Sequence, residues 1–300
     1  MNSSIADLEP LIKPQKKPII HFFSHMRHHS SGVIGFIIIV LIIFTAIFAD
    51  QLAPKPYNLK APKERLKPMW FMEGGSTEYP LGTDSLGRDI LSRIVHGSRI
   101  SLSVGIASVF LGAGIGIVMG LLAGFLGGKA DSIINWLMNV QLSFPYILLA
   151  LFLMAAFNGG LVTLIVVLAI GGWVRYARII RGQVLSVREE TYVTAAQASG
   201  IRMLRILTKH VLPNAFSPII VVASFTMADT ILSEASLSFL GLGINPAIPS
   251  WGQMLADGRD FLQAKWWICL LPGLAISVTV LGINLFGDWL RDYLDPRLRL

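Results

Sequence analysis

TYVTAAQASGIRMLRILTKHVLPN, Thr191 to Asn214, is a polar and basic stretch set between two long apolar runs. Its Ala, Gln, Leu, Met, Arg and Lys residues form helices readily, but its charges are costly in hydrocarbon. A water-compatible helical island in an apolar chain reads as a docking surface and not as a span. Glu189 and Glu190 precede it and complement the positive N-terminal end of a helix, which Thr191 can cap. Ala195, Ala196 and Ser199 give one face small enough to enter a groove. Gly200 ends the helix, and Pro213 marks the start of the next one.

Around this island the composition is that of a polytopic membrane protein, with mean hydropathy +0.63, 53% hydrophobic and 14% charged residues. Uncharged stretches run for 22 residues from His28 to Ala49, 29 from Ile100 to Gly128, 43 from Ser132 to Val174 and 22 from Trp266 to Gly287. A hydrocarbon core needs about 20 residues per helix, so the third stretch is read as two spans, divided at Asn158-Gly159-Gly160. A further span lies between Ala215 and Leu240, making six transmembrane helices with centres near residues 41, 111, 146, 167, 228 and 277. The fold class is all-α. The domain reading is a tail and interfacial helix over 1–31, a first span over 32–49 and an external loop over 50–97. A five-helix core follows over 98–290, with a cytoplasmic loop at 189–214, an external loop at 242–265 and a tail over 291–300.

With the N-terminus inside, cytoplasmic segments hold 15 of the 25 Lys and Arg residues. Arg175, Arg178, Arg181, Arg188, Arg202, Arg205 and Lys209 are read as crowding one cytoplasmic connection, so both termini are expected inside. The basic stretch before Gly32 is too long for the n-region of a signal peptide, and Ile47 and Ala49 form no A-x-A cleavage pair. His21, His25, His28 and His29 share one helical face there. An interfacial helix explains them better than a metal site, because no Cys or carboxylate nearby completes a ligand shell. The single cysteine, Cys269, falls in the last apolar run and reads as a packing residue.

Gly112, Gly116, Gly120, Gly124 and Gly128 recur every four residues in the second span, a small-residue stripe suited to close helix packing. Gly127-Gly128-Lys129-Ala130 fails as a phosphate loop, with alanine at positions 123 and 130, so no ATP site is expected in this chain. No catalytic or metal constellation is expected either. Asp229 and Glu234 are ionisable residues inside the fifth span and so candidates for a translocation path. A proton-coupled secondary transporter would use them as relays, but this reading finds no basic partner in the spans and leaves the 191–214 island unexplained. A bare channel or a membrane scaffold is the other alternative from composition.

The Ala195-Ala196 pair, Gly200 and Leu212-Pro213 at their spacing resemble the EAA coupling loop of ATP-binding-cassette importer permeases. Two positions depart from that pattern: Thr194 stands where the family writes Glu, and His210 where it writes Ile. PLGTDSLGRDILSRIVHGSRISL (Pro80–Leu102), ILSEASLSFLGLG (Ile231–Gly243), PSWGQML (Pro249–Leu255) and GDWLRDYLDPRLR (Gly287–Arg299) are similar to the dipeptide, oligopeptide and nickel permeases, in the right order. The external WFMEGGS (Trp70–Ser76) and the terminal DPRLR are most similar to the C-type permeases of dipeptide importers.

The resemblance implies a type I (MetI-like) importer permease in a bacterial inner membrane. It implies pairing with a homologous B-type permease, two ATPase subunits that hold ATP and Mg, and an external peptide-binding protein, with no nucleic acid involved. Coupling to the ATPases would fall on Glu190, Tyr192, Thr194, Ala195, Ala196, Ser199, Gly200, Arg202, Leu212 and Pro213. The binding protein would dock on the external loops, at Trp251, Asp257, Arg259 and Asp260. Trp266 and Trp267 read as interface anchors. Dipeptides or short peptides are the expected substrate, with nickel or another small solute as the alternative.

Overall fold

A computed structural model describes residues 22, 24–191, 193, 195, 199, 201, 203–207, 209 and 212–294. In chain order its helices are α1 (Ser30–Ile47), α2 (Ala49–Leu52), α3 (Ile90–Leu126), α4 (Gly128–Leu142) and α5 (Tyr146–Ala156). They continue with α6 (Leu161–Arg188), α7 (Met203–Ile206), α8 (Leu212–Phe239), α9 (Trp251–Gly258) and α10 (Trp267–Leu294). Among the described residues the only extended pairing is one isolated bridge between Thr83 and Asp89.

Five helices, α1, α3, α6, α8 and α10, are long and apolar enough to cross a membrane. A sixth crossing is available only by counting α4 and α5 together, and these meet at a 91° bend. The sequence reading put a straight third span with its centre near residue 146; that point lies at the bend. Pro145 explains it, because proline lacks an N–H for the helix ladder and pushes Phe144 out of helical backbone. The expected turn after α5 is present, with positive φ at Asn158 (59°), Gly159 (66°) and Gly160 (95°).

Two further boundaries differ from the expectation. α3 starts at Ile90, inside the segment read as external loop, where the Asp89 carboxylate caps it by accepting from the Ser92 N–H at 2.8 Å. Its 37 residues span about 55 Å at 1.5 Å each, well beyond the hydrocarbon thickness. The first turns, with Arg93, His96 and Arg99, therefore stand outside as a continuous helical post. Arg175, Arg178, Arg181 and Arg188 lie within α6 and not in a cytoplasmic connection.

α3 and α6 pack together along the glycine stripe. Gly112, Gly116, Gly120 and Gly124 are all buried, and a Cβ on Gly116 would sit 2.4 Å from the Trp173 carbonyl oxygen. Only a hydrogen at that position lets the backbones approach so closely. Gly128 is not part of this contact; it opens α4 with φ 51° and has no neighbour within 4 Å of a would-be Cβ. α1 lies along α10, where a Cβ on Gly35 would come within 2.7 Å of the Gly282 carbonyl oxygen. The outer face of α1 is exposed and apolar at Ile34, Ile37, Val40, Leu41 and Phe44, as a lipid-facing helix requires. α8 lies between these pairs, touching α3, α6, α9 and α10.

Near the N-terminus His25 stacks on His29 at 4.6 Å and meets Tyr293 edge-on at 5.2 Å, while His21 lies outside the described residues. Cys269 is buried between α10 and α9, where its Sγ would meet a Cβ on Gly258 at 2.7 Å.

Candidate functional site

Three regions carry the sequence-predicted site residues. The first is the segment between α6 and α8. Val193, Ile206 and Leu207 are buried and join Ile180, Val184 and Val187 of α6 and Ala215 of α8 in one cluster, with Ile117, Leu121 and Phe125 of α3 packed against it. Apolar anchors thus tie the segment to three spanning helices at once. Glu190, Ala195, Ser199, Ile201, Arg205 and Lys209 are exposed on its outer side. The Val193 N–H donates to the Glu190 carbonyl at 2.9 Å, and Ser199 Oγ donates to the Ala195 carbonyl at 2.9 Å, so this side carries the small Ala195 and Ser199 among the longer Glu190, Ile201, Arg205 and Lys209. α8 begins at Leu212, with exposed Pro213 in the first turn, where a missing N–H costs no hydrogen bond. Tyr192, Thr194, Ala196, Gly200 and Arg202 lie outside the described residues.

The second region lies around the N-terminal end of α3 and α9 and holds a charge network that no sequence motif marks. Asp84 Oδ2 accepts from Arg88 Nε at 2.6 Å and from Arg93 Nη1 at 2.5 Å. Asp257 Oδ2 accepts from Arg88 Nη2 at 2.9 Å and from Arg93 Nη1 and Nη2 at 3.1 Å each. Gln253 Nε2 donates to the other Asp257 oxygen at 2.9 Å. Two arginines and two aspartates cancel in charge and join the 84–93 segment to α9. The signal was present in the sequence as the alternating charges of GTDSLGRDILSR, but their partner on α9 is about 170 residues away in the chain and only folding brings it near.

The other end of α9 is tied as firmly. Glu234 of α8 is buried, and its Oε1 accepts from Ser238 Oγ and Ser250 Oγ, each at 2.9 Å. Ser250 in turn caps α9, its Oγ accepting from the Gln253 N–H at 3.1 Å. Trp251 was expected on a docking surface; it is 2% exposed, donating from Nε1 to the Ile94 carbonyl at 3.0 Å. It fills the space beside Gly97 of α3, so it fastens α9 to the external post and presents no face to a partner. Asp257 is likewise committed to the network. Arg259 and Asp260 are exposed at the far end of α9, as are the aromatic Trp70 and Phe71 of the 53–89 segment. Asn58, Lys60, Arg259, Asp260 and Phe261 line an open external cavity of about 470 Å³. Asp50, at the base of this region, has its carboxyl held below the usual carboxylate range by hydrogen bonds from Arg99 and His96.

The third region lies within the spans. Asp229 and Glu234 do not share a surface: Glu234 is sealed among serines, whereas Asp229 is open and paired with Arg175 of α6, Nη1 to Oδ2 at 2.5 Å. The expectation that no basic partner exists in the spans is therefore wrong. Arg178 Nη2 contacts Asn139 Oδ1 at 3.4 Å, and Arg181 makes a two-pronged pair with Asp131 at 2.6 and 2.8 Å. A staircase of three arginines thus descends α6, each with a partner on α8 or α4.

Comparison with known proteins places this architecture. Residues 116–300 match the profile of the binding-protein-dependent transport system inner membrane component, and residues 18–68 match the N-terminal membrane domain of oligopeptide transport permease C. The di/tripeptide permease protein DppC of Pseudomonas aeruginosa is 40% identical over 299 residues, covering 100% of this chain and 98% of the relative. The oligopeptide permease protein OppC of Bacillus subtilis is 40% identical, covering 91% of this chain and 88% of the relative. The glutathione permease protein GsiD of Pectobacterium atrosepticum is 41% identical, covering 91% and 89%. Among solved structures, a chain of the inward-facing methionine transporter MetNI superposes with TM-score 0.55 at 20% identity, covering 68% of this chain and 96% of that one, which supports the fold. With a polar segment anchored between α6 and α8, a broken third crossing and these matches in sequence, the chain belongs to the family of inner-membrane components of binding-protein-dependent transport systems.

Proposed function

We propose that this chain is the C-type permease subunit of an ATP-driven importer of dipeptides or short peptides. It contributes half of a translocation path, the other half coming from a homologous B-type permease. Two ATPase subunits, which carry the ATP and Mg, press on the segment between α6 and α8. An external binding protein delivers the substrate. Both termini lie in the cytoplasm of a bacterial cell, and this chain itself catalyses nothing.

The observation that carries this reading is the construction of the 190–209 segment. A surface meant to transmit force needs a shallow outer face and rigid attachment beneath. Ala195 and Ser199 supply the face; Val193, Ile206 and Leu207 supply the attachment to α3, α6 and α8. Closure of the ATPases then moves three spanning helices together and shifts the population between two packed states of the path. Arg259, Asp260, Trp70 and Phe71 offer the binding protein an exposed, mixed aromatic and charged surface.

A proton-coupled carrier using Asp229 and Glu234 has less support, since Asp229 is open while Glu234 is sealed among serines, and each already has partners. A nickel permease has no group of three or more His, Cys, Asp or Glu among the described residues to support it. Uptake of labelled dipeptide by the reconstituted complex tests the proposal. Ala195→Trp or Gly200→Asp is expected to abolish ATP-driven uptake in complexes that still assemble. Uptake at the unaltered rate would remove the coupling assignment.

A further inference from the structure

Arg175 and Asp229 pose an energetic problem that the fold alone does not resolve. Each lies near the middle of its spanning helix, and the side chains are 58% and 54% exposed in the isolated chain. An ionised pair facing hydrocarbon is expensive even when matched, because desolvation outweighs the mutual attraction. The surface that carries them therefore does not face lipid. Their neighbours agree: Arg178 and Asn139 are also exposed one turn away on the same side. By contrast, the exposed residues along the middle of α1 (Ile34, Ile37, Val40, Leu41, Ile43 and Phe44), and Ile106 and Phe110 of α3, are apolar.

We propose that Arg175 and Asp229 form a zwitterion-binding step in the translocation path, taking the carboxylate and the ammonium ends of a peptide in transit. This rests on the reading of the chain as a peptide permease. A free short peptide carries one charge of each sign, as does this pair. When the ion pair opens, Arg175 exchanges one carboxylate for another, and Asp229 exchanges one cation for another. Charge is conserved at every stage, so the peptide crosses the middle of the membrane without leaving an isolated charge in a poorly hydrated space. The guanidinium suits the first role because its planar fork holds a carboxylate by two hydrogen bonds. Once the peptide leaves, the pair closes on itself, and the empty path again presents no uncompensated charge.

The test uses the assembled transporter in proteoliposomes, with Cys269→Ala as background. Asp229→Cys is expected to react with a charged, membrane-impermeant thiosulfonate about tenfold faster than Phe110→Cys, which faces lipid. With Arg175 left unpaired, the anionic ethylsulfonate reagent is expected to outpace the cationic ethylammonium one; Arg175→Cys, which leaves Asp229 unpaired, reverses that preference. Dipeptide supplied with binding protein and ATP slows both reactions. Arg175→Ala and Asp229→Asn each lower dipeptide uptake by about tenfold at equal amounts of assembled complex. If Asp229→Cys does not assemble, Arg175→Cys carries the same comparison from the other helix. Labelling no faster than at Phe110→Cys, or uptake unchanged in both charge variants, overturns the proposal while leaving peptide import standing. Absence of dipeptide uptake by the unaltered complex overturns both readings.

Discussion

Two ion-pair systems in this molecule use the same chemistry for opposite ends. At the N-terminal end of α3, Asp84, Arg88 and Arg93 are buried and Asp257 is partly buried, with side-chain exposures between 2% and 15%, and every formal charge has its opposite in contact. Within the spans, Arg175 and Asp229 face each other on an open surface with more than half of each side chain uncovered. The first arrangement is a fastening: it joins the N-terminal end of α3 to α9 with each charge engaged by its opposite, and of the four only Arg88 and Asp257 reach the open cavity beside Arg259 and Asp260. The second leaves both charges available. Burial therefore separates a structural pair from one placed to exchange partners, a distinction that sequence alone does not draw among these six residues.

The contrast is testable by substitution. The largest effect is expected at Arg93→Ala, which leaves Asp84 and Asp257 buried with half their compensation; about 3–5 kcal/mol of stability is lost. Thermal unfolding of the purified complex, or of this chain in detergent, checks it, and a loss below 1 kcal/mol would break the distinction drawn here. Glu234→Ala is expected to cost about 2–3 kcal/mol, because the buried hydroxyls of Ser238 and Ser250 lose their acceptor and α9 loses one of its attachments. Protease accessibility of the 242–265 loop reads this out locally.

Gly120→Leu, on the α3–α6 contact, is expected to cost about 1–3 kcal/mol, since a Cβ there would lie 2.6 Å from the Ala177 carbonyl oxygen. Asp229→Asn is expected to change stability by less than about 1 kcal/mol, as an open pair contributes little, while uptake falls. A strongly destabilised Asp229→Asn would show that this pair too is a fastening. Asp50→Asn is expected to have the smallest effect. The Asp50 carboxyl is held below its ordinary pKa in the folded chain, so its contribution is present at neutral pH and fades as pH falls below about 4. The carboxyl is solvent-exposed, so the difference between the unfolding curves of Asp50→Asn and the unaltered chain should be small and the same at pH 7 as at pH 5.

Legibility varied with the range of the physics involved. The apolar runs, the polar island and the turn at Asn158-Gly159-Gly160 were readable because solvation and backbone preference act over a few residues. The glycine stripe was readable as a packing face, though Gly128 continued the spacing by coincidence and in fact opens the next helix. Pro145 was visible but masked by uniformly uncharged surroundings, so a broken crossing was read as a straight one. Trp251 looked like an external aromatic for a partner, because nothing local reveals that Gly97 leaves a space for it. Arg175 was counted with cytoplasmic charges because the uncharged run ends there; the helix does not.

What the sequence determined by itself is the class of molecule, the order of its apolar helices and the position of a polar segment between two of them. These follow from the cost of placing charge in hydrocarbon and from the local propensity of Gly, Pro and the helix formers. Only the tertiary structure decided which charges are sealed and which stay open, since Arg93 meets Asp257 and Arg175 meets Asp229 across separations of 164 and 54 residues. Electrostatic energy depends on distance and burial, and neither is a property of the chain until it has folded.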